Sequence, residues 1–200
     1  MIEGQPTEVD RVTEAMRTLP RDNFIEISDP DVVSGRGIPS TNAVSEILHH
    51  ADVQAHHSVL VIGTGAGYVA ALLSKLAERV IAVENNPTIL RLAQDCFNRL
   101  GLANLVLRKG DGTRGAPDLA PFDRIFVASP KVTVKSDLID QLAAEGQLLA
   151  MEQGENDSLI LARYGVSQHG VSPRRELALV DFSRDSGITL LDMGVVDQVM

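Results

Sequence analysis

Read for the spacing of its apolar residues, the chain alternates short β-branched runs with longer stretches in which apolar positions recur every three or four residues. Val59-Leu60-Val61-Ile62 reads as a buried strand, and Val80-Ile81-Ala82-Val83, Leu105-Val106-Leu107, Asp123 to Ala128 and Leu148-Leu149-Ala150-Met151 read as further strands. Val69 to Leu76 reads as a helix. So does the stretch opened by Asn86-Pro87, an N-cap followed by proline at the first helical position. Leu90, Ala93, Phe97 and Leu100 form its apolar face and Gly101 its C-terminal cap. Ser136 to Ala144, carrying Leu138, Ile139 and Leu142 and ended by Glu145-Gly146, fits a third such helix. Gly154-Glu155-Asn156-Asp157 reads as a turn into Leu159-Ile160-Leu161-Ala162, an antiparallel partner, and Leu177 to Phe182 supplies the last strand. The alternation predicts an α/β fold, a doubly wound, mostly parallel sheet closed by an antiparallel C-terminal hairpin.

The amino-terminal segment lies outside this alternation. Thr7-Glu8-Val9-Asp10 has the form of a capping box with Thr7 as N-cap. Val9, Val12, Met16 and Leu19 line one face of the helix that follows, and Pro20 stops it. Such a helix is expected to pack across an edge of the sheet. No period persists from Asp22 to Pro39, where Ser34-Gly35-Arg36-Gly37 marks a loose connection. Thr41 to His50 reads as a helix with Val44, Ile47 and Leu48 inward. The other end, Ile188 to Met200, stays apolar to its final residue, as expected of a chain cut from a longer one.

Candidate chemistry centres on Gly63-Thr64-Gly65-Ala66-Gly67-Tyr68, between the first strand and the helix after it. Glycine there accepts positive φ and lets a ligand approach the backbone, while the free N–H groups of the helix start favour polar or anionic atoms. The third glycine comes one residue earlier than in the dinucleotide fingerprint G-x-G-x-x-G. That spacing favours the nucleoside loop of S-adenosylmethionine (SAM) enzymes over a nicotinamide-dependent oxidoreductase. Glu84 ends the second strand about twenty residues after the first glycine, where an acid can accept hydrogen bonds from both ribose hydroxyls. Gly110-Asp111-Gly112 follows the third strand; Asp111 could accept from an adenine amino group, with Gly112 leaving room for the ring. The three loops sit at the carboxyl ends of neighbouring strands, where open α/β sheets bind ligands.

Bulk properties narrow the partners. A net charge of -9 argues against a nucleic-acid backbone as the main partner. No apolar run reaches membrane-spanning length and the start lacks a signal-peptide pattern, so a cytoplasmic protein is expected. The one cysteine, Cys96, suits a reducing cytosol and reads as a small core residue. His49-His50 and His56-His57 flank a helix end, and adjacent histidines rarely face one ion, so no metal is expected. Pro173-Arg174-Arg175 reads as a solvated turn.

Several stretches together resemble the protein-L-isoaspartate O-methyltransferase family. They are Val59 to Tyr68, Gly110-Asp111-Gly112, Ala120-Pro121-Phe122-Asp123-Arg124-Ile125, Ala15-Met16 with Pro20-Arg21-Asp22-Asn23-Phe24, and Gln141-Leu142 before Gly146. The likeness spans roughly residues 9 to 162. It implies a Rossmann-like SAM methyltransferase that methylates the carboxylate created when asparagine or aspartate isomerises, in a peptide or protein substrate, leaving S-adenosylhomocysteine. By position, Gly63, Thr64, Gly65, Gly67, Glu84, Asp111 and Gly112 would surround the cofactor, with Tyr68 and Asn85 beside them. One domain over residues 1–200 is then expected: substrate-side helices in 1–50, a cofactor core in 51–165 and C-terminal strands in 166–200.

The departures from the family pattern concern the chemistry. Gly37-Ile38-Pro39-Ser40-Thr41 stands where the family has Thr-Ile-Ser-Gln-Pro, so Pro39 occupies the place of the serine near the methyl acceptor. Ser40 and Thr41 are the candidate substitutes for that hydroxyl. Arg21 to Ile38 is several residues short and lacks the family's Tyr-x-Asp element. Val61 replaces an acid late in the first strand, and Met151 stands where a proline is common. Two readings therefore stay open, a working isoaspartyl-type methyltransferase and a relative that keeps the scaffold as a SAM-binding or structural domain.

Overall fold

The computed structural model describes residues 10–28, 41–154, 159–167 and 170–180. Their strands are β1 (Ser58–Ile62), β2 (Arg79–Glu84), β3 (Leu105–Lys109), β4 (Phe122–Val127), β5 (Leu142–Gln153), β6 (Leu159–Ser167) and β7 (Gly170–Val180). They form one sheet in the order β3-β2-β1-β4-β5-β6-β7. The first five run parallel, β6 adds antiparallel to β5, and β7 adds antiparallel to β6. This is the doubly wound sheet with a closing hairpin that the alternation predicts.

Helices α1 (Arg11–Thr18), α2 (Thr41–Ala51), α3 (Tyr68–Leu76) and α4 (Pro87–Arg99) share the core of one face with Val59, Val61, Val80, Ala82, Phe126 and Leu149. Leu60, Ile62, Ile81, Val83, Ile125, Val127 and Leu148 point to the other face. There Ala116, Leu138 and Leu142, the second from the single-turn helix α5 (Ser136–Ile139), pack against them. Strands buried on both faces read as continuous apolar runs, which is why these were visible in the sequence. Among the described residues no helix is long and apolar enough to cross a membrane.

The amino ends of the strands are tied down by polar side chains. Arg124, 6% exposed, donates from Nε to Ala51 O, from Nη1 to Asp123 O and from Nη2 to Asp52 O, and so caps the carboxyl end of α2. Asp123 Oδ2 accepts from Ser58 N, fixing the start of β1. Asn104 Nδ2 donates to the carbonyls of Ser74, Ala77 and Glu78 at the end of α3. Arg11 reaches from α1 to the carbonyls of Val53 and Leu76.

Five expectations are corrected. The N-cap of α1 is Asp10, whose carboxylate accepts from Val12 N and Thr13 N; Thr7 lies outside the described residues. This helix rests on α2 and α3 instead of crossing a sheet edge, because Val12, Ala15 and Leu19 join the helical layer of the core. The buried face of α4 is Ile89, Ala93, Cys96 and Phe97, and Leu90 and Leu100 stay partly exposed. Cys96 is thus the expected core residue, its thiol 3.4 Å from Asn23 O.

The helix expected over Ser136 to Ala144 stops at Ile139, and Leu142 already belongs to β5. Phe122 N donates to Gln141 O and Leu142 stands opposite Phe122, so pairing with β4 captures residues whose spacing alone suits a helix. Pairing resumes at Gln147 opposite Arg124 after an irregularity that holds Glu145 at φ +60°. Last, β7 starts at Gly170, so Pro173-Arg174-Arg175 is strand and not turn. Proline is tolerated there because β7 is an edge strand. Arg174 is held by Glu152 and Glu176. The expected turn at residues 155–157, the connection at 34–37 and the apolar end at 188–200 lie outside the described residues.

Candidate functional site

A cavity of about 480 Å³ opens at the carboxyl ends of the strands. Strand order reverses between β1 and β4, so the loops after these neighbours diverge and leave a crevice. Its volume lies within the usual range for small-molecule sites.

The glycine loop forms its floor. Gly63, Gly65 and Gly67 all have positive φ, at +79°, +52° and +84°. At Gly67 the need for glycine is twofold, since a Cβ there would also lie 2.8 Å from the Phe97 ring of α4. The early third glycine is therefore the residue that lets α3 start against α4. Gly67 is the N-cap of α3 and offers no side chain, so the first-turn N–H groups stay available to a ligand. Thr64 is 7% exposed and its Oγ1 is buried without a hydrogen-bond partner among the described residues. An unpaired buried hydroxyl costs about 1–3 kcal/mol, which a ligand in this cavity can recover.

Glu84 closes β2 and is 8% exposed. Its Oε1 accepts from Asn85 N and Asn86 N, both at 2.9 Å, and among the described residues no donor reaches Oε2. The carboxylate is held by one oxygen and has the other to offer. Asp111 is exposed, and its Oδ1 accepts from the N–H and hydroxyl of Thr113. Those bonds to the charged form, with weaker help from Arg114 and Lys135, hold its carboxyl below the ordinary range. Gly112 is required for a different reason than expected, because a Cβ there would collide with Ile62 Cγ2. It lets the loop after β3 lie down on β1.

All nine residues expected around a cofactor line this cavity: Gly63, Thr64, Gly65, Gly67, Tyr68, Glu84, Asn85, Asp111 and Gly112. Tyr68 is 4% exposed and its ring tilts against Phe24 at 5.3 Å, so it is wall more than reagent, with burial pushing its phenol up. Of the two candidate hydroxyls, Thr41 is not brought there. Thr41 opens α2, exposed and outside the lining, and Ser40 and Pro39 lie outside the described residues. Val61, in the place of an acid, is a lining residue buried between β2 and β4.

Sequence reasoning missed the fourth wall, Ala128-Ser129-Pro130-Lys131-Val132, along with Met151 and Leu159 at the ends of β5 and β6. The position of the fourth strand beside the first was the available signal, since the loop after it must then face the crevice. It also passed over Gln141, 4% exposed, as a support. Its Oε1 accepts from Ala116 N and its Nε2 donates to Arg114 O and Asp137 O, which clamps the segment after Asp111-Gly112 onto α5. The histidine pairs are spread over separate contacts: His49 bonds to Ser45 and Asp10, and His57 Nδ1 accepts from Gln54 N. Among the described residues no group of three or more His, Cys, Asp or Glu could hold a metal ion.

Residues 3–176 match the family model described as protein-L-isoaspartate(D-aspartate) O-methyltransferase. The chain is 39% identical over 148 residues to protein-L-isoaspartate O-methyltransferase 1 of Syntrophobacter fumaroxidans, covering 70% of this chain and 69% of the relative. Against the protein-L-isoaspartate O-methyltransferase of Xanthobacter autotrophicus it is 35% identical over 181 residues, covering 86% and 82%. Among solved structures, a crystal structure assigned to such a methyltransferase of Plasmodium falciparum, in complex with S-adenosyl-L-homocysteine, superposes with a TM-score of 0.68 at 17% identity, covering 88% of this chain and 89% of that one. A second, titled protein-L-isoaspartate O-methyltransferase, gives 0.66 at 22% identity, and the chain spans 59% of its length.

Proposed function

The chain belongs to the protein-L-isoaspartate(D-aspartate) O-methyltransferase family, and we propose that it methylates an isoaspartyl-type carboxylate of a peptide or protein, using SAM, in a reducing cytosol. The observation that carries this reading is the cavity itself. Its unpaired Thr64 hydroxyl, half-free Glu84 and open helix start form a donor and acceptor set suited to an amino acid joined to a nucleoside. Glu84 would hold the ribose hydroxyls, Asp111 the adenine amino group, and the glycine loop with Thr64 the amino-acid end.

Bound SAM would supply a methyl group on a sulfonium, open to attack by the acceptor's carboxylate oxygen, with the carbon–sulfur electron pair left on sulfur as S-adenosylhomocysteine. The acceptor is already deprotonated at neutral pH, so the chain need not move a proton. Its residues align the reacting atoms and exclude water. Turnover therefore does not depend on a hydroxyl at the place of Pro39, and neither Ser40 nor Thr41 is assigned a proton. The apolar walls at Val61, Met151 and Leu159 serve the exclusion of water.

Two measurements on one purified sample test the reading. Calorimetric titration with S-adenosylhomocysteine is expected to show saturable one-to-one binding. Incubation with methyl-labelled SAM should label a peptide containing isoaspartate and leave its aspartyl counterpart unlabelled. Binding without labelling would replace the reading with that of a SAM-binding scaffold. No binding by a folded sample would remove the cofactor as well.

A further inference from the structure

The cavity is divided by charge along the sheet. Its carboxylates stand on one side of β1, Glu84 at the end of β2 and Asp111 after β3. On the other side, after β4, stands Lys131, the sole cation among the described residues of the lining. The ends of β3 and β4 are three strand spacings apart, roughly 14 Å. Lys131 is exposed, and no described residue pairs with its ammonium group. The turn carrying it is pinned at both ends. Ser129 packs so closely on Gly63 that a Cβ there would lie 2.8 Å from the serine Cβ, and Val132 faces Gly112. Val132 N closes the turn on Ser129 O at 3.0 Å.

A cation so placed answers an anion that the two carboxylates would repel. SAM brings one anionic group, its own carboxylate, and the open first turn of α3 is a ready seat for it. The acceptor brings the second. Resting on the function proposed above, we propose that Lys131 is a specificity-determining residue that holds the acceptor's carboxylate and selects it over an amide or ester. Methylation erases the charge that Lys131 recognises, so the same contact that gathers substrate releases the methyl ester.

The test is a binding titration, on the protein saturated with S-adenosylhomocysteine, of an isoaspartyl hexapeptide and of the same peptide with that carboxylate amidated. The wild-type protein should prefer the carboxylate. Lys131→Met should reduce that preference about fivefold, the upper value for a solvent-exposed ion pair. Affinity for S-adenosylhomocysteine should stay the same, and Lys131→Arg should restore most of the preference. An unchanged preference in the Met variant overturns the assignment while leaving the methyltransferase reading intact. Weaker S-adenosylhomocysteine binding by that variant also overturns it, because the ammonium would then serve the cofactor. A wild-type protein that labels neither peptide in the transfer assay overturns both.

Discussion

Where the strands begin, polar side chains are tied to the backbone; where they end, several are left with bonds to make. At the first end Arg124 satisfies three carbonyls, Asn104 three more, and Asp123 holds the first N–H of β1. At the second, Thr64 has no partner, Glu84 and Asp111 use one oxygen each, and three glycines sit at positive φ. His50 Nε2 and Gln147 Oε1 are also buried without partners but do not line the cavity, so an orphan by itself does not mark a site. The lesson is that one sheet carries two designs. Its amino end is built for stability, and its carboxyl end keeps unsatisfied groups for a ligand.

Breaking the amino end should cost most. Arg124→Met leaves the carbonyls of Ala51, Asp52 and Asp123 without their donor and should lower the unfolding free energy by about 3 kcal/mol or more. Urea denaturation measures it, and S-adenosylhomocysteine affinity of the folded protein should not follow. A matching fall in affinity would dissolve the contrast between the ends. Gly67→Ala should cost about 2 kcal/mol from left-handed strain and the contact with Phe97, and here affinity should fall too.

Glu84→Ala sharpens the comparison from the other side. Loss of hydrogen bonds to a charged group should weaken S-adenosylhomocysteine by about 1.5–3 kcal/mol, roughly 10- to 150-fold, with a smaller fall in thermal stability as Asn85 N and Asn86 N lose their acceptor. Undiminished affinity in a folded variant would remove Glu84 from the ribose.

The amino end should also report pH. Burial first, and then the charge of Arg124, hold the His57 imidazole below its usual range, and burial does the same for His50. A depressed folded value means that the unfolded chain binds protons first. Stability should be complete above about pH 6.5 and decline as pH falls through the lower folded value. Urea midpoints between pH 7 and pH 5 that stay level would contradict the neutral His57 that accepts from Gln54 N. The smallest effect is expected at Thr41→Ala, where methyl transfer to the isoaspartyl peptide should stay within about twofold, since carboxylate methylation needs no base. A hundredfold loss would restore Thr41 to the acceptor site.

What could be read from the sequence was whatever depends on neighbours in the chain. Positive φ at Gly63, Gly65 and Gly67, the Asn86-Pro87 start of α4 and the acid ending β2 are local demands met by particular residue types. Hence the nine expected cavity residues came together as expected. Tertiary structure decided what depends on a partner distant in sequence. Pairing with Phe122 turned Leu142 from helix to strand, and pairing with β6 extended β7 back to Gly170. Packing chose Ile89 and Cys96 over Leu90 and Leu100 as the inner face of α4. Ile62, not a ligand ring, excludes a side chain at Gly112. The order of strands alone brought Ser129 and Lys131 to the cavity, because the side of β1 on which β4 lies is set by burying both faces of the sheet, which no local pattern records.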